Sequence, residues 1–143
     1  MHRIHLNFGS NEGNRMAVIG RAVALVAQAL RPRRMELSDY VESEPAGFVS
    51  PHRFLNRGAL LLIDGDVDPL VLLDTVKAIE KAMAPDSPHR NPDGSYRDRV
   101  IDIDIIDVDH ITYSHPRLRL PHPRLHERPF VLGPLAQLDP YWR

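Results

Sequence analysis

The sequence predicts an α+β fold in which two helices pack on one face of an antiparallel sheet. Two kinds of segment indicate it: short stretches with strand-like alternation, and longer ones whose apolar residues recur at helical spacing. Their order along the chain is strand, helix, strand, strand, helix, strand. That order is the ferredoxin-like βαββαβ pattern, with the opposite face of the sheet free for an active site. With 143 residues, the chain is long enough to form one domain, residues 1–143.

The first half of the chain supplies three of the predicted strands and one helix. Residues 2–8 alternate apolar and polar side chains, which predicts a half-buried strand. The turn Gly-Ser-Asn-Glu-Gly-Asn at 9–14 offers capping residues for a helix that runs to about residue 30. It lacks the Gly-Lys-Ser/Thr ending of a P-loop, so a tight strand-to-helix turn is the better interpretation. Residues 35–43 weakly predict a second strand, and residues 56–64 predict a third.

The second half contains a helix, a long polar loop and the last predicted strand. Asp68 is a good capping residue and Pro69 suits the first helical position, so a helix is expected to about residue 83. Residues 84–99 are polar and rich in proline, and a loop of this length in a compact domain is usually functional or disordered. Residues 100–108 predict the fourth strand, and we expect the remainder to be a tail rich in Pro and Arg.

Composition excludes several classes of function. The chain has 18 Lys and Arg against 19 Asp and Glu, so it lacks the basic excess of a general nucleic-acid-binding surface. It has no cysteine, which rules out disulfides, thiol nucleophiles and zinc–thiolate sites. No apolar run approaches the roughly 18 residues of a transmembrane helix, and the N-terminus lacks the apolar region of a signal peptide. We therefore expect a soluble, cytoplasmic protein that binds neither nucleic acid nor membrane.

The most informative stretch is the fourth strand, where Asp102 and Asp104 share the face opposite the isoleucines. Twice the rise per residue puts the two carboxylates about 7 Å apart. Aspartate is depleted in strands, and neighbouring like charges repel. A divalent cation would offset this repulsion, because Mg²⁺ prefers carboxylate and phosphate oxygens. The alternative, from these residues alone, is a solvent-exposed face whose charges are hydrated.

Basic residues lie on both sides of this acidic pair in the sequence. Arg97 and Arg99 precede it. A later cluster consists of Arg117, Arg119, His122, Arg124, His126 and Arg128. Acids that hold a metal and guanidiniums that hold phosphate oxygens together predict a polyphosphate site. Alone, such a tail is more often solvated surface, and no His-x3-His motif on a helix supports a transition-metal site.

The triplet Phe54-Leu55-Asn56, just before the third predicted strand, is a second candidate for ligand binding. An aromatic ring followed by an amide suits a flat heterocycle, which the ring stacks on and the amide hydrogen-bonds. In isolation, a buried phenylalanine beside a turn asparagine is the simpler interpretation.

Taken together and in this order, the motifs resemble the 6-hydroxymethyl-7,8-dihydropterin pyrophosphokinase family. The resemblance covers nearly the whole chain. Its segments are Phe-Gly-Ser-Asn-Glu-Gly-Asn at 8–14, Ser-Glu-Pro-Ala-Gly at 43–47, Phe-Leu-Asn at 54–56, Ile-Glu at 79–80, Arg-Val-Ile-Asp-Ile-Asp-Ile at 99–105, Pro-His-Pro-Arg at 121–124 and Glu-Arg-Pro-Phe-Val-Leu at 127–132. It implies an enzyme of folate biosynthesis that transfers a diphosphate from ATP to the hydroxymethyl group of the pterin and releases AMP, without an obligate protein partner.

The resemblance also implies a role for each matching residue. Two Mg²⁺ ions bound to the ATP phosphates would be held by Asp102 and Asp104. The other catalytic residues, which would contact the phosphates, are Arg99, His122 and Arg128. The remaining residues of the ATP site would be Lys77, Glu80 and Arg117. The pterin ring would lie between Phe54 and Phe130, with its hydrogen-bonding edge read by Ser43, Pro45, Ala46 and Asn56.

The sequence departs from the family pattern around the long loop. The family usually has a Gly-Arg pair about five residues after Glu80, where residues 84–86 here read Ala-Pro-Asp. Residues 96–98 read Tyr-Arg-Asp in place of a small residue and a proline. Arg90 and Arg97 are candidates to replace the missing arginine. Two alternatives follow: a degenerate relative that binds pterin or nucleotide without efficient catalysis, and an unrelated ferredoxin-like interaction or ligand-sensing module.

Overall fold

The computed structural model describes residues 1–44, 53–84 and 100–140. These residues form a five-stranded antiparallel sheet, a two-stranded hairpin and three α-helices. The strands are β1 His2–Ser10, β2 Arg34–Leu37, β3 Val41–Ser43, β4 Phe54–Ile63, β5 Asp102–Val108, β6 Tyr113–His115 and β7 Leu118–Leu120. The α-helices are α1 Arg15–Leu30, α2 Pro69–Met83 and α3 Pro129–Leu138. Within these residues, no helix is both long enough and apolar enough to cross a membrane.

The sheet is built around β1, which pairs with β4 on one side and β5 on the other. The strand order is β2-β4-β1-β5, with β3 also paired to β4, and every pairing is antiparallel. The β1–β4 pairing is continuous from His2 opposite Ile63 to Ser10 opposite Leu55. The β1–β5 pairing shifts register between His5 and Leu6. Because directly opposite residues share a face, these registers decide which side chains of the three central strands meet.

Helices α1 and α2 begin at the residues that the sequence indicates. The Asn14 side chain accepts a hydrogen bond from the backbone N–H of Ala17 at 3.2 Å, which satisfies one of the free donors at the helix start. Asp68 accepts from the N–H of Leu70 at 2.9 Å, and Pro69 is the first residue of α2. The prediction of both helices is confirmed.

The main hydrophobic core lies between one face of the sheet and helices α1 and α2. The sheet contributes Ile4, Leu6, Phe8, Leu55, Ala59, Leu61, Ile101, Ile103, Ile105 and Val108. The two helices contribute Ile19, Ala22, Val26, Leu72, Leu73, Val76 and Ile79. The alternation predicted for the first and last strands is confirmed on this face, because their apolar residues point toward the two helices.

The sequence predicted that the opposite face of the sheet is free. This prediction was wrong in part, because α3 covers part of that face. A second buried cluster consists of Ile106, Leu125, Val131 and Leu135. At the centre of this contact, Gly58 faces Pro134 so closely that a Cβ on Gly58 would lie 2.8 Å from the Cβ of Pro134. The interpretation of this region as a tail was wrong. The helix has only ten residues and contains Gly133 and Pro134, which obscure its helical signal.

Two further elements differ from the sequence prediction. The weak strand expected over 35–43 is two short strands, β2 and β3, that pair with different parts of β4. Between them, Ser38 donates its backbone N–H to the carbonyl of Gly58 at 3.0 Å and accepts the N–H of Gly58 on its hydroxyl at 2.8 Å. The hairpin of β6 and β7 was missed altogether, because three-residue strands are too short for an alternation to be recognised.

Replacing Gly58 with alanine is expected to destabilise the protein by about 1–3 kcal/mol, the usual cost of overpacking a well-packed contact. The added methyl group would overlap Pro134 and force α3 away from the sheet. Urea denaturation of the purified protein measures the change in the free energy of unfolding.

Gly20→Ala is the matched control, because a Cβ on Gly20 meets no atom within 4 Å on the exposed side of α1. It is expected to stabilise the protein by about 0.5–1 kcal/mol through helix propensity. Equal effects of the two substitutions would contradict the close packing of α3 on Gly58.

Candidate active site

Polar residues line the second face of the sheet at the end where β1 finishes and β4 and β5 begin. The register places Asp102 beside Gly9, and Gly9 beside Asn56. The next row across the same strands consists of Asp104, Asn7 and Gly58. Because directly opposite residues share a face, these two rows adjoin on one face of the sheet, which we call the polar floor. Helix α3 covers Asn7 and Gly58 in the second row, so the accessible part is the row of Asp102, Gly9 and Asn56 together with Asp104.

Gly9 keeps the middle of the polar floor open. A Cβ at this position would lie 3.3 Å from Oδ1 of Asn56 and 3.5 Å from Cδ1 of Phe54. Any larger side chain would fill the space between Asp102 and Asn56. The glycine therefore separates the residues predicted to hold metal from those predicted to bind the pterin.

The surroundings of Asp104 disfavour its charged form. Burial, followed by repulsion from Asp102, raises the pKa of Asp104 to about 7, against the opposing influence of Arg128 and Lys77. Nη1 of Arg128 lies 3.7 Å from Oδ2 of Asp104, too far for a direct hydrogen bond. A divalent cation bound beside Asp102 and Asp104 would favour the charged form of both carboxylates.

The donor set fits Mg²⁺ better than a transition metal. No group of three or more His, Cys, Asp or Glu side chains that could hold a metal ion occurs among the described residues. Mg²⁺ is usually bound by one or two carboxylates together with substrate phosphates and water. Asp102 and Asp104 match this requirement, whereas a structural zinc site needs four protein ligands.

His122 is held as a neutral hydrogen-bond donor. Its backbone N–H donates to the carbonyl of Ile106 at 2.8 Å, and its Nδ1 accepts from the N–H of Arg124 at 3.2 Å. With Nδ1 acting as acceptor, the neutral ring carries its proton on Nε2. Burial first, and then the charge of Arg128, lower the pKa of His122 to about 4. At neutral pH, His122 therefore offers a phosphate a hydrogen bond and no positive charge.

The start of α3 brings two predicted residues to the polar floor. Arg128 immediately precedes the helix and approaches Asp104. Its guanidinium carbon also lies 5.9 Å from the ring centroid of Phe130, within the range of a cation–π interaction. One basic and one aromatic side chain are thus held next to the acidic pair.

The direction of α3 places Phe130 at the site end of the sheet. Pro134 packs on Gly58, and Leu138, one turn later, lines a groove with Leu60 and Leu62. The helix therefore runs along β4 in the direction of that strand. Its first turn, with Phe130, lies toward the end of β4 that carries Phe54 and Asn56.

Asn56 links β4 to β3 by hydrogen bonds next to the predicted pterin site. The residue is 2 % exposed, and its Nδ2 donates to the carbonyl of Val41 at 3.1 Å and to the hydroxyl of Ser43 at 2.8 Å. Its Oδ1 lies 3.5 Å from Nδ2 of Asn7. Phe54, two residues earlier on the same face, is half-buried. Asn56 thereby holds β3 against β4, beside the ring that is predicted to stack on the pterin.

Three residues predicted for the ATP site lie along α2 and its neighbours. Nζ of Lys77 lies 3.1 Å from Oε1 of Glu80, and Oε2 of Glu80 accepts the backbone N–H of Ile103 at 2.6 Å. Burial, opposed by Lys77, raises the pKa of Glu80. Arg117, between β6 and β7, donates to the carboxylate of Asp74 on α2.

The structure therefore brings together most of the residues predicted from the sequence. The metal, phosphate and pterin residues that it describes surround the polar floor, and the predicted ATP residues lie along α2. Arg99, Pro45, Ala46 and the substitute arginines, Arg90 and Arg97, lie outside the described residues. Sequence reasoning missed Asn7 and Gly9 as part of the site, although the alternation of the first strand had placed Asn7 on the polar face.

Two neighbouring carboxylates with an arginine close by, on the face of an antiparallel sheet, are the arrangement expected of an ATP-dependent transferase of phosphoryl or diphosphoryl groups. Residues 5–140 match the family described as 7,8-dihydro-6-hydroxymethylpterin-pyrophosphokinase, HPPK. The chain belongs to this family. Membership makes it an ATP-dependent pyrophosphokinase of folate biosynthesis, which confirms the activity predicted from the sequence and does not favour a degenerate binder.

Individual relatives agree with this assignment. The chain is 36 % identical to a 2-amino-4-hydroxy-6-hydroxymethyldihydropteridine pyrophosphokinase of Porphyromonas gingivalis, over 96 % of this chain and 91 % of that one. It is 31 % identical to the enzyme of the same name from Bacillus subtilis, over 94 % of this chain and 76 % of that one. A crystal structure described as HPPK-DHPS in complex with substrates is similar in fold, with a TM-score of 0.68 and 14 % identity over 99 % of this chain and 41 % of that longer one.

The His122 imidazole is expected to titrate with a midpoint near pH 4 in the folded protein. Because this pKa lies below the ordinary value of 6.5, the folded state binds fewer protons than the unfolded state between these two values. His122 should therefore lower the stability of the protein as the pH falls through this interval. The imidazole Cε1–H signal in an NMR titration, assigned by its loss in His122→Gln, measures the midpoint; a midpoint near 6.5 would contradict the neutral-donor assignment.

Proposed function

We propose that the diphosphate transfer takes place on the polar floor, with the start of α3 as one wall. The observation that carries this proposal is the register of β1 with its two neighbours. It aligns the acidic pair, the open Gly9 position and Asn56 in adjoining rows of one surface. This register supports the proposal, because the residues proposed to hold the metal and those proposed to bind the pterin lie side by side, as a transfer between two bound substrates requires.

In this proposal, Asp102 and Asp104 hold Mg²⁺ with the phosphates of ATP, and the resemblance favours two ions. Bound Mg²⁺ would neutralise the negative charge of the phosphate oxygens while the β-phosphorus is attacked. The raised pKa of Asp104 supports the assignment, since burial and the neighbouring Asp102 disfavour its negative charge and a bound cation would favour it.

The basic residues orient the polyphosphate. Arg128 supplies a guanidinium for charge-assisted hydrogen bonds to phosphate oxygens, and His122 supplies the N–H of Nε2. A bond forms from the substrate hydroxyl oxygen to the β-phosphorus, and the hydroxyl proton is released to solvent. The bond from that phosphorus to the oxygen between the α- and β-phosphates breaks, and this oxygen leaves with AMP. Such a transfer depends on in-line positioning more than on covalent chemistry by the protein. Arg99, Lys77 and Arg117 remain proposed contacts of the nucleotide.

The pterin lies, in this proposal, between Phe54 and Phe130, with Asn56 and the segment from Ser43 reading its edge. The position of Phe54 beside Gly9, and the direction of α3, support this placement.

We also assign the sheet to the ferredoxin-like class. Its support is the strand order β2-β4-β1-β5, with α1 and α2 packed on one face.

Neutralising either aspartate, in Asp102→Asn or Asp104→Asn, is expected to lower kcat by about 10²–10³-fold, the usual cost of removing one electrostatic contact to the transition state. Pterin-dependent release of AMP from ATP and Mg²⁺ measures the effect, with circular dichroism as the check of folding. Asp66→Asn, in an exposed loop between β4 and α2, is the matched control and should turn over normally. Normal turnover by both site variants would contradict the metal assignment.

Truncating either ring, in Phe54→Leu or Phe130→Leu, is expected to raise the KM for the pterin while that for ATP changes little. Stacking of a heterocycle on an aromatic side chain contributes about 1–3 kcal/mol, which corresponds to about 5- to 150-fold in affinity. Steady-state kinetics with each substrate varied in turn measure both constants, and the KM for ATP is the internal control. A change confined to the KM for ATP would contradict the stacking assignment.

A further inference from the structure

We propose that Glu80 is a positioning residue: its carboxylate holds the backbone of β5 at the residue between the two metal-binding aspartates. The inference rests on the proposed metal-holding role of Asp102 and Asp104. It differs from the nucleotide contact that the resemblance implies for Glu80, because it assigns the carboxylate to the protein's own backbone.

The first observation is the hydrogen bond between Glu80 and the edge of the sheet. β5 is the last strand of the sheet, and β1 pairs with only one of its sides. The backbone N–H of Ile103 donates to Oε2 of Glu80 at 2.6 Å, within buried surroundings. A bond from an N–H to a carboxylate is shorter and stronger than one between neutral groups. Glu80 thus takes the place of a partner strand at this one residue.

The second observation is the position of Ile103 in the chain. Its side chain belongs to the hydrophobic core, and the residues on either side of it are Asp102 and Asp104. The N–H that Glu80 holds belongs to the peptide group that joins Asp102 to Ile103. A displacement of this peptide therefore moves both carboxylates, and a misplacement of about 1 Å in an active site can cost about 100-fold in rate.

The third observation is that Glu80 is itself restrained and hidden. Its side chain is 3 % exposed, so the protein's own residues cover almost all of its surface. Nζ of Lys77, one turn earlier on α2, lies 3.1 Å from its other oxygen, Oε1. One oxygen faces the β5 backbone and the other faces a lysine. This is the arrangement expected of a residue that orients metal ligands from behind.

Three variants separate the positioning role from a general loss of stability. Glu80→Met removes the acceptor at similar volume, whereas Glu80→Gln keeps an amide oxygen that can accept from Ile103. Val76→Ala, at a fully buried position of the same helix, is the matched destabilising control. Binding of Mn²⁺, with a non-hydrolysable ATP analogue present, is followed by electron paramagnetic resonance, and kcat and both KM values are measured at varied Mg²⁺.

Glu80→Met is expected to weaken Mn²⁺ binding by about 10–100-fold, the usual effect of losing a group that orients metal ligands. The Mg²⁺ concentration that gives half of the maximal rate should rise by about the same factor. Glu80→Gln should restore most of this loss. Val76→Ala should lower the melting temperature and leave metal binding unchanged. If both Glu80 variants instead raise the KM for ATP equally, with metal binding intact, Glu80 contacts the nucleotide and the proposal is overturned.

A measurement on the unaltered protein keeps the proposal testable if Glu80→Met does not fold. Hydrogen exchange of the Ile103 amide should be slow in the wild type and in Glu80→Gln, although β5 is an edge strand. Fast exchange in the wild type would overturn the inference. Unchanged Mn²⁺ binding in Asp102→Asn and Asp104→Asn would overturn the proposed metal site itself. If the Ile103 amide still exchanged slowly in that case, the hydrogen bond from Ile103 to Glu80 would stand and only the metal site would have failed.

Discussion

The rest of the structure depends on the register of β1 against its two neighbours. Every row of the polar floor contains one residue of this central strand, and Gly9 and Asn7 stand where the acidic pair of β5 meets β4. A slip of one residue would turn each side chain to the other face of the sheet. The same slip would place Ile4, Leu6 and Phe8 outside the core. The register of β1 therefore determines both the packing of the core and the alignment of the residues on the polar floor.

The second constraint is the close contact between α3 and the sheet at Gly58. The missing side chain lets Pro134 approach the backbone of β4, and Val131 and Leu135 bury the same side of the helix. This contact decides where the first turn of α3 lies. Arg128 and Phe130 are carried to the polar floor by packing residues that take no part in the chemistry.

Burial shapes the electrostatics of the site as much as charged neighbours do. Asp104 is partly buried beside Asp102, and Arg128 stays too far away to neutralise it by a direct bond. His122 adds no charge at neutral pH, because burial and Arg128 keep it unprotonated. The site is thus arranged for ligands that bring cations and phosphates together. Lys77 and the N–H of Ile103 restrain the third nearby carboxylate, Glu80, behind the strand.

The sequence by itself determined the two amphipathic helices, the central strands, the acidic pair and the family, because local periodicity and ordered motifs carry these features. It could not show α3, whose ten residues include Gly133 and Pro134, or the direction in which that helix crosses β4. Only the tertiary structure decided that Asn7 and Gly9 lie beside the acidic pair and that Glu80 faces the backbone of β5. These outcomes depend on register and packing between residues far apart in the chain, and no local pattern encodes them.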